Sequence, residues 1–292
     1  MEKRSISCAA VLFSTFISCA APGCAGQTGC EIPFRFQGHW IVVEASIGSM
    51  SGLRFMIDTA ATGSVVDRKV VKALGLEPLP GESQIVAPGR ITKANRFNVP
   101  MMRIGPVFTT LPCHEADLGG LGVDGIIGLD ILRQQTRLAS CDTNEVIQNR
   151  SFTVDFKTRR LHFGLQQQLE HTAPLESPNP QIIVVAMMQG HPLRLAVDTG
   201  TYTIVLYKES QMGWLKIKST LPNETIYRLG GMTKEQRVVL PPIELENSRW
   251  TDLGGILLDL KDQPKDGLLS VKQLGLKILH LDFERDLMSW KR

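Results

Sequence analysis

The chain has 292 residues, of which 43% are apolar and 21% are charged, a composition typical of globular proteins. This length is sufficient for two modest domains, each with its own core. The net charge of +3 comes from acidic and basic residues mixed along the chain, so we expect no nucleic-acid partner. No apolar stretch approaches the roughly 18 residues of a membrane-spanning helix, so we expect no stable membrane span.

Residues 1–26 have the order of a secretory signal peptide. Lys3 and Arg4 precede an apolar stretch of roughly a dozen residues, and small residues follow it. We therefore exclude this segment from the fold and expect the mature protein to be secreted or periplasmic. A lipoprotein anchored through Cys19 or Cys24 is the alternative, although the residues before both cysteines match the required motif poorly.

Three cysteines, Cys30, Cys113 and Cys141, remain after this segment. In an oxidising compartment one pair can form a disulfide, and Cys113 with Cys141 is the pair that we favour. Cys113 lies beside His114, but no second pair of residues has the spacing of a metal site. We expect neither a metal nor a cofactor.

Strands dominate the rest of the chain. Residues 40–47 are rich in β-branched side chains, and a glycine-containing turn joins them to a second strand, residues 53–58, which ends in an aspartate. Further strands with charged turns form predicted hairpins at residues 152–164 and 279–290. Short helices are predicted at residues 67–76, 128–135 and 270–276.

The second part of the chain repeats the first. The segment LRFMIDTAATGSVV, residues 53–66, has a counterpart in LRLAVDTGTYTIVL, residues 193–206, and the two contain Asp58 and Asp198 respectively. Three further matched pairs follow in the same order at nearly equal spacing: residues 90–105 with 231–246, 123–132 with 265–274, and 152–164 with 279–290. Four matched segments in one order indicate two homologous units.

The repeat divides the chain into a first unit, residues 31–164, and a second unit, residues 180–292. Residues 165–179 contain glutamines and prolines with few apolar residues, a composition that predicts a linker. An insert at residues 133–150 occurs in the first unit alone. We therefore predict two mostly β units.

Asp58 and Asp198 each precede a threonine at the end of a strand, where aspartates commonly stabilise turns. In two homologous units packed about a pseudo-twofold axis, however, equivalent residues near the axis meet. Two carboxylates in contact share a proton because one pKa rises, and such a pair can activate a water molecule by general acid–base catalysis. The repeat therefore predicts a catalytic pair of aspartates.

The residues around both aspartates resemble the retropepsin-like and pepsin-like aspartic proteases. In that family two hydrophobic residues precede Asp-Thr-Gly; here residues 56–60 are Met-Ile-Asp-Thr-Ala and residues 196–200 are Ala-Val-Asp-Thr-Gly. A hydrophobic–hydrophobic–Gly element follows in each family lobe; here residues 126–128 are Ile-Ile-Gly and residues 268–270 are Leu-Leu-Ser. The resemblance covers about residues 36–292. It implies a mostly β fold with two homologous acid-protease-like β-barrel lobes in one chain, related by a pseudo-twofold axis.

The resemblance implies an aspartic endopeptidase that hydrolyses peptide bonds in a peptide or protein substrate. Asp58 and Asp198 would form the catalytic dyad, and Thr59 and Thr199 would cross-link the two active loops through hydroxyl–backbone bonds. Thr201 would support the site by bonding the outer oxygen of Asp198. Because one chain carries both lobes, we expect a monomer.

The resemblance also implies flaps, which are hairpins that close over the substrate. By position, the first flap falls at residues 86–91 with Gly89 as its turn. The second falls at residues 229–232 with Gly230 and Gly231.

The first unit departs from the family pattern at Ala60, where its counterpart is Gly200. With a negative φ, alanine costs little and its methyl group only narrows the site; with a positive φ, we expect strain of about 1–2 kcal/mol. Ser270 replaces glycine in the second unit, a milder departure. The alternative hypothesis is therefore a catalytically weakened or inactive protein of the protease fold that binds peptides. A third hypothesis is an unrelated β-rich secreted protein.

Overall fold

A computed structural model of the chain describes residues 30–87, 90–110, 112–133, 150–165, 167–177, 181–208, 213–217, 219–228, 231–260 and 263–292. The signal segment lies outside the described residues, as do most of the insert with Cys141, and both Gly89 and Gly230. The predicted disulfide and the tips of both predicted flaps therefore stay predictions. In the described ranges no helix has the length and apolar character needed to cross a membrane.

The described chain is mostly β, as the sequence predicts. We call residues 30–165 the first half and residues 167–292 the second half. The strands of the first half are β1 (Cys30–Pro33), β2 (Arg35–Gln37), β3 (Trp40–Ile47), β4 (Met50–Ile57), β5 (Val65–Asp67), β6 (Gln84–Ala87), β7 (Arg90–Lys93), β8 (Arg96–Asn98), β9 (Met102–Ile104), β10 (Val107–Thr109), β11 (Pro112–Ala116), β12 (Gly125–Ile127), β13 (Ser151–Asp155) and β14 (Arg160–Phe163).

The second half continues the strand numbering. Its strands are β15 (His171–Glu176), β16 (Ile183–Met188), β17 (His191–Asp198), β18 (Ile204–Tyr207), β19 (Ser219–Arg228), β20 (Gly231–Val239), β21 (Ile243–Leu245), β22 (Ser248–Trp250), β23 (Gly254–Leu258), β24 (Gly267–Ser270), β25 (Ile278–Asp282) and β26 (Leu287–Lys291).

The helical elements of the first half are α1 (Arg68–Ala73), α2 (Leu129–Leu132) and one 3₁₀ turn (Gly119–Leu121), and in the second half Lys208, directly after β18, is helical. The helix α1 begins where predicted because Asp67 caps it: its carboxylate accepts the N–H of Lys69 at 2.8 Å. The helix predicted at residues 270–276 is wrong. The strand β24 extends to Ser270, and a single turn follows, closed by a bond from the Leu274 N–H to the Ser270 carbonyl at 3.3 Å.

Three sheets contain these strands. One 15-stranded sheet runs in the order β1-β14-β13-β25-β26-β15-β16-β17-β24-β18-β23-β20-β19, and β21 and β22 attach to it through β16. A nine-stranded sheet of the first half runs β10-β9-β3-β4-β12-β5-β11-β8, with β2 on β3. The hairpin β6–β7 stands by itself.

The same pairing pattern surrounds the strand that leads to each aspartate. The strand β4 pairs in parallel with β12, and β17 pairs in parallel with β24. On their other sides β12 and β24 pair antiparallel with β5 and β18, which in turn pair in parallel with β11 and β23. The segments that are repeated in the sequence thus have equivalent strand pairings in the two halves.

The halves are joined by a sheet in which β13 of the first half pairs with β25 of the second half. Phe152 lies opposite Leu281 in this pair, and both side chains are fully buried. The predicted linker, residues 165–179, contains β15, which pairs with β26 and β16. Ala173 and Leu175 are the buried residues of this strand, and its other residues are polar or proline. Two apolar residues are too few to mark a strand in the sequence.

Candidate active site

The two aspartates lie at the ends of equivalent strands. Asp58 follows β4, and its N–H donates to the carbonyl of Ile127 at 3.0 Å. Asp198 is the last residue of β17 and lies opposite Ser270 of β24. In each half the parallel partner strand therefore fixes the position of the backbone that carries the aspartate.

Thr59 and Thr199 join the two aspartate loops through four hydrogen bonds. The N–H of each threonine donates to the hydroxyl oxygen of the other, both at 3.1 Å. The Thr59 hydroxyl donates to the carbonyl of Val197 at 2.7 Å, and the Thr199 hydroxyl donates to the carbonyl of Ile57 at 2.9 Å. Both threonines are buried. These are the hydroxyl–backbone bonds that the resemblance implies.

Each carboxylate is held by two backbone N–H groups of its own loop. Asp58 Oδ1 accepts from Ala60 at 2.8 Å and from Ala61 at 3.1 Å. Asp198 Oδ1 accepts from Gly200 at 2.6 Å and from Thr201 at 3.1 Å. These bonds fix the rotation of both carboxylates in the same way.

Gly200 shows how close the two carboxylates lie. A methyl group added at Gly200 would lie 2.8 Å from the carboxyl carbon of Asp58 and 3.2 Å from Oδ1 of Asp198. Both aspartates also line one cavity of about 750 Å³. The fold therefore brings together Asp58 and Asp198, the two residues that the sequence repeat identifies.

The environment raises the pKa of both aspartates. Burial raises the pKa of Asp198 well above its usual range, and the negative charge of Asp58 raises it further. Burial also raises the pKa of Asp58, against the hydrogen bonds from the N–H groups of Ala60 and Ala61. Such a pair holds one proton between its members over the pH range that separates its two ionisations.

Each half contributes one apolar cluster of buried side chains to the cavity that both aspartates line, and we call these clusters the first-half wall and the second-half wall. The first-half wall consists of Val42, Met56, Val65, Leu118, Val123 and Ile126. The second-half wall consists of Ala196, Val205, Tyr207, Ile256, Leu258 and Leu268. Members of both walls line the cavity. A mostly apolar cleft with two central carboxylates has the character of a substrate-binding site.

Residues 43–131 match the aspartyl protease family model. The matched segment contains Asp58 and ends before the second aspartate. This match supports an aspartyl protease family, and with it a hydrolase that acts on peptides. No curated protein matches the chain.

The described residues of both predicted flap regions lie in hairpins beside the cleft. In β6–β7, Ala87 pairs with Arg90, and residues 84–87 line the cavity. In β19–β20, Arg228 pairs with Gly231, and Ile226 lines the cavity. Gly231 has a φ of +134°, which favours glycine at the start of β20. Closure of these hairpins over a substrate stays a prediction.

Thr201 supports Asp198 through its backbone N–H rather than through its side chain. Its hydroxyl donates instead to the carbonyl of Thr203 at 3.1 Å, so the predicted hydroxyl bond to Asp198 is wrong. Ser270 stands where the family has glycine, and its buried hydroxyl group has hydrogen-bond partners. The hydroxyl donates to the carbonyl of Thr201 at 2.9 Å and accepts the N–H of Gln273 at 3.2 Å.

Ala60 does not have a positive φ, so the residue brings no backbone strain. Its side chain packs against the second-half wall and lines the cavity. The difference from Gly200 is therefore a methyl group that takes up space beside the carboxylates.

Two residues of the cleft were missed by the sequence analysis. Trp40 donates its indole N–H to the carbonyl of Gly200 at 3.1 Å and thereby braces the loop that follows Asp198. Lys265 is buried in the cleft, where its charge lowers the pKa of both aspartates. The sequence could have pointed to Lys265, because the matched segment of the first unit has the apolar Val123 at this position. In the described part of the chain no cluster of side chains is suited to a metal ion.

Proposed function

We propose that the protein is an aspartic endopeptidase whose Asp58/Asp198 dyad activates a water molecule. We further propose that the two halves are homologous lobes related by a pseudo-twofold axis, with boundaries close to residues 31–164 and 180–292. The observation that carries the proposal is the reciprocal cross-link between Thr59 and Thr199, because it sets two equivalent aspartate loops against each other.

In the proposed reaction the dyad holds one proton, and Asp198 carries it because its pKa is raised by both burial and the charge of Asp58. The ionised Asp58 takes a proton from the water as the water oxygen attacks the scissile carbonyl carbon. Asp198 donates its proton to the carbonyl oxygen, which gives a neutral tetrahedral diol. The C–N bond then breaks while a dyad carboxyl protonates the leaving amine, and no covalent enzyme intermediate forms.

An extended peptide fits this cleft best. The apolar walls accept side chains on both sides of the dyad, and the hairpins β6–β7 and β19–β20 offer backbone groups to a bound strand. Closure of the hairpins would exclude water and align the scissile bond. Because one chain supplies both carboxylates, we propose that the protein acts as a monomer, secreted or periplasmic after removal of residues 1–26.

Peptide binding without cleavage is the second candidate function. It is favoured by the methyl group of Ala60, which lines the cavity beside the dyad and reduces the space for water and substrate. Because Ala60 does not have a positive φ, its methyl group would weaken catalysis by occupying space and not by straining the backbone.

The test is the cleavage of a denatured protein between about pH 3 and 7, with and without pepstatin, by the wild type, Asp58→Asn and Asp198→Asn. We expect cleavage by the wild type alone and inhibition by pepstatin. Asp252→Asn is the matched control, because Asp252 is exposed on a turn with a positive φ that asparagine also tolerates. Cleavage by Asp198→Asn at the wild-type rate would overturn the proposal. Peptide binding by a wild type that cleaves nothing would support the second candidate.

A further inference from the structure

Lys265 occupies an unusual place for a lysine. It is only 9% exposed and lines the cavity just before β24. The backbone around it matches that around Val123 in the first half. Asp266 accepts the N–H of Arg194 at 2.7 Å, and Asp124 accepts the N–H of Arg54 at 2.8 Å. The lysine therefore stands where the first-half wall has a fully buried valine.

The ammonium group of Lys265 has no direct partner in the described part of the chain. It makes neither an ion pair nor a hydrogen bond there, and the charges that act on it are those of Asp198 and Asp58. Burial opposes its charge, because the second-half wall beside it is apolar. The ammonium nitrogen itself is still reached by solvent, and the side from which an anionic group of a ligand can approach it is the cleft.

We propose that Lys265 is a specificity-determining residue that selects substrates with an acidic side chain in the subsite of the second-half wall. A substrate carboxylate there would accept a charge-assisted hydrogen bond from the ammonium group and replace the water lost on binding. The first-half wall, of which Met56, Val65 and Ile126 line the cavity, would take an apolar side chain. This inference rests on the proposed peptidase function.

The test uses peptides that differ at one position, Glu, Gln or Leu, next to the scissile bonds mapped in the digest of a denatured protein. At about pH 6, where glutamate is ionised, the wild type should prefer Glu over Gln by roughly tenfold or more in kcat/KM. Lys265→Met should lose this preference and favour Leu, whereas Lys265→Arg should retain it. Lys277→Met, which removes an exposed lysine outside the cleft, is the charge-matched control and should behave as the wild type.

Peptide binding separates this inference from the peptidase proposal. Fluorescence anisotropy with Asp198→Asn, alone and combined with Lys265→Met, measures the same preference without cleavage. Tighter binding of the Glu peptide that depends on Lys265 would support the inference even if the wild type cleaves nothing. Equal affinity for Glu and Gln peptides, a preference that survives Lys265→Met, or no peptide binding at all would overturn it.

Discussion

Thr59 and Thr199 hold each other by two N–H-to-hydroxyl hydrogen bonds of equal length, 3.1 Å. Each hydroxyl also donates to the carbonyl that precedes the other aspartate, so one threonine satisfies two buried backbone groups of the opposite loop. This arrangement makes the position of Asp58 depend on the second half, and that of Asp198 on the first.

Replacing Thr199 by alanine should destabilise the protein and reduce activity together. The substitution leaves the buried N–H of Thr59 and the carbonyl of Ile57 without partners, a loss of about 2–4 kcal/mol in the free energy of unfolding. Thr199→Ser keeps the hydroxyl and is the control. Chemical denaturation measures both variants, and equal stability of Thr199→Ala and Thr199→Ser would show that the cross-link contributes nothing.

The two positions that follow Asp-Thr should respond differently to substitution. In Gly200→Ala the new methyl group would lie 2.8 Å from the carboxyl carbon of Asp58, so the Asp58 carboxylate or the loop that carries residue 200 must shift. We expect kcat/KM to fall about a hundredfold. Ala60→Gly removes a methyl group from the cleft and should change kcat/KM by less than about tenfold, because no strain is relieved. The prediction fails if the two variants have equal activity.

Lys265 should set the pH range of activity. Its positive charge favours the ionised carboxylates and lowers the pKa of both Asp58 and Asp198. Removing the charge in Lys265→Met raises both pKa values. The active form holds one proton, so the whole bell-shaped profile of kcat/KM should move to higher pH. The profile is best measured with a Leu peptide, with Lys277→Met as the control; an unchanged or more acidic optimum would contradict the electrostatic role.

The dyad should lower the stability of the folded protein at neutral pH. The pKa of Asp198 is raised by folding, so its ionisation is less favourable in the folded than in the unfolded chain. The resulting penalty is absent below the unfolded-state pKa and complete above the folded-state pKa. Asp198→Asn should therefore raise the free energy of unfolding near pH 7 and have little effect near pH 3. Urea titrations at both pH values measure this difference, and a gain confined to low pH would have the wrong sign.

The repeat in the sequence was sufficient to identify the two aspartates and their threonines, because it compares two copies of the same segment. The strands β3 and β4 were predicted because β-branched residues and a glycine-containing turn mark them. The hydrogen-bond partners of single side chains were less accessible. The Thr201 hydroxyl has a local acceptor, the carbonyl of Thr203, that the pattern does not reveal.

Elements that depend on neighbouring strands were also missed. The strand β15 appears in a segment whose prolines and glutamines predict a linker, because pairing with β26 and β16 outweighs its weak local preference. The helix expected at residues 270–276 is instead a turn, because Ser270 belongs to β24 and its hydroxyl bonds the N–H of Gln273. Lys265 was visible as a difference between the repeats, but its burial beside the aspartates required the three-dimensional arrangement.

The most direct test of the proposed dyad is a double-mutant cycle on kcat/KM with Asp58→Asn, Asp198→Asn and the double variant. Two carboxylates that act as one unit should give non-additive losses. We predict that each single variant lowers kcat/KM by about a thousandfold or more and that the double variant loses little beyond that. Wild-type kcat/KM in either single variant, or losses that simply multiply in the double variant, would contradict catalysis by an Asp58/Asp198 dyad.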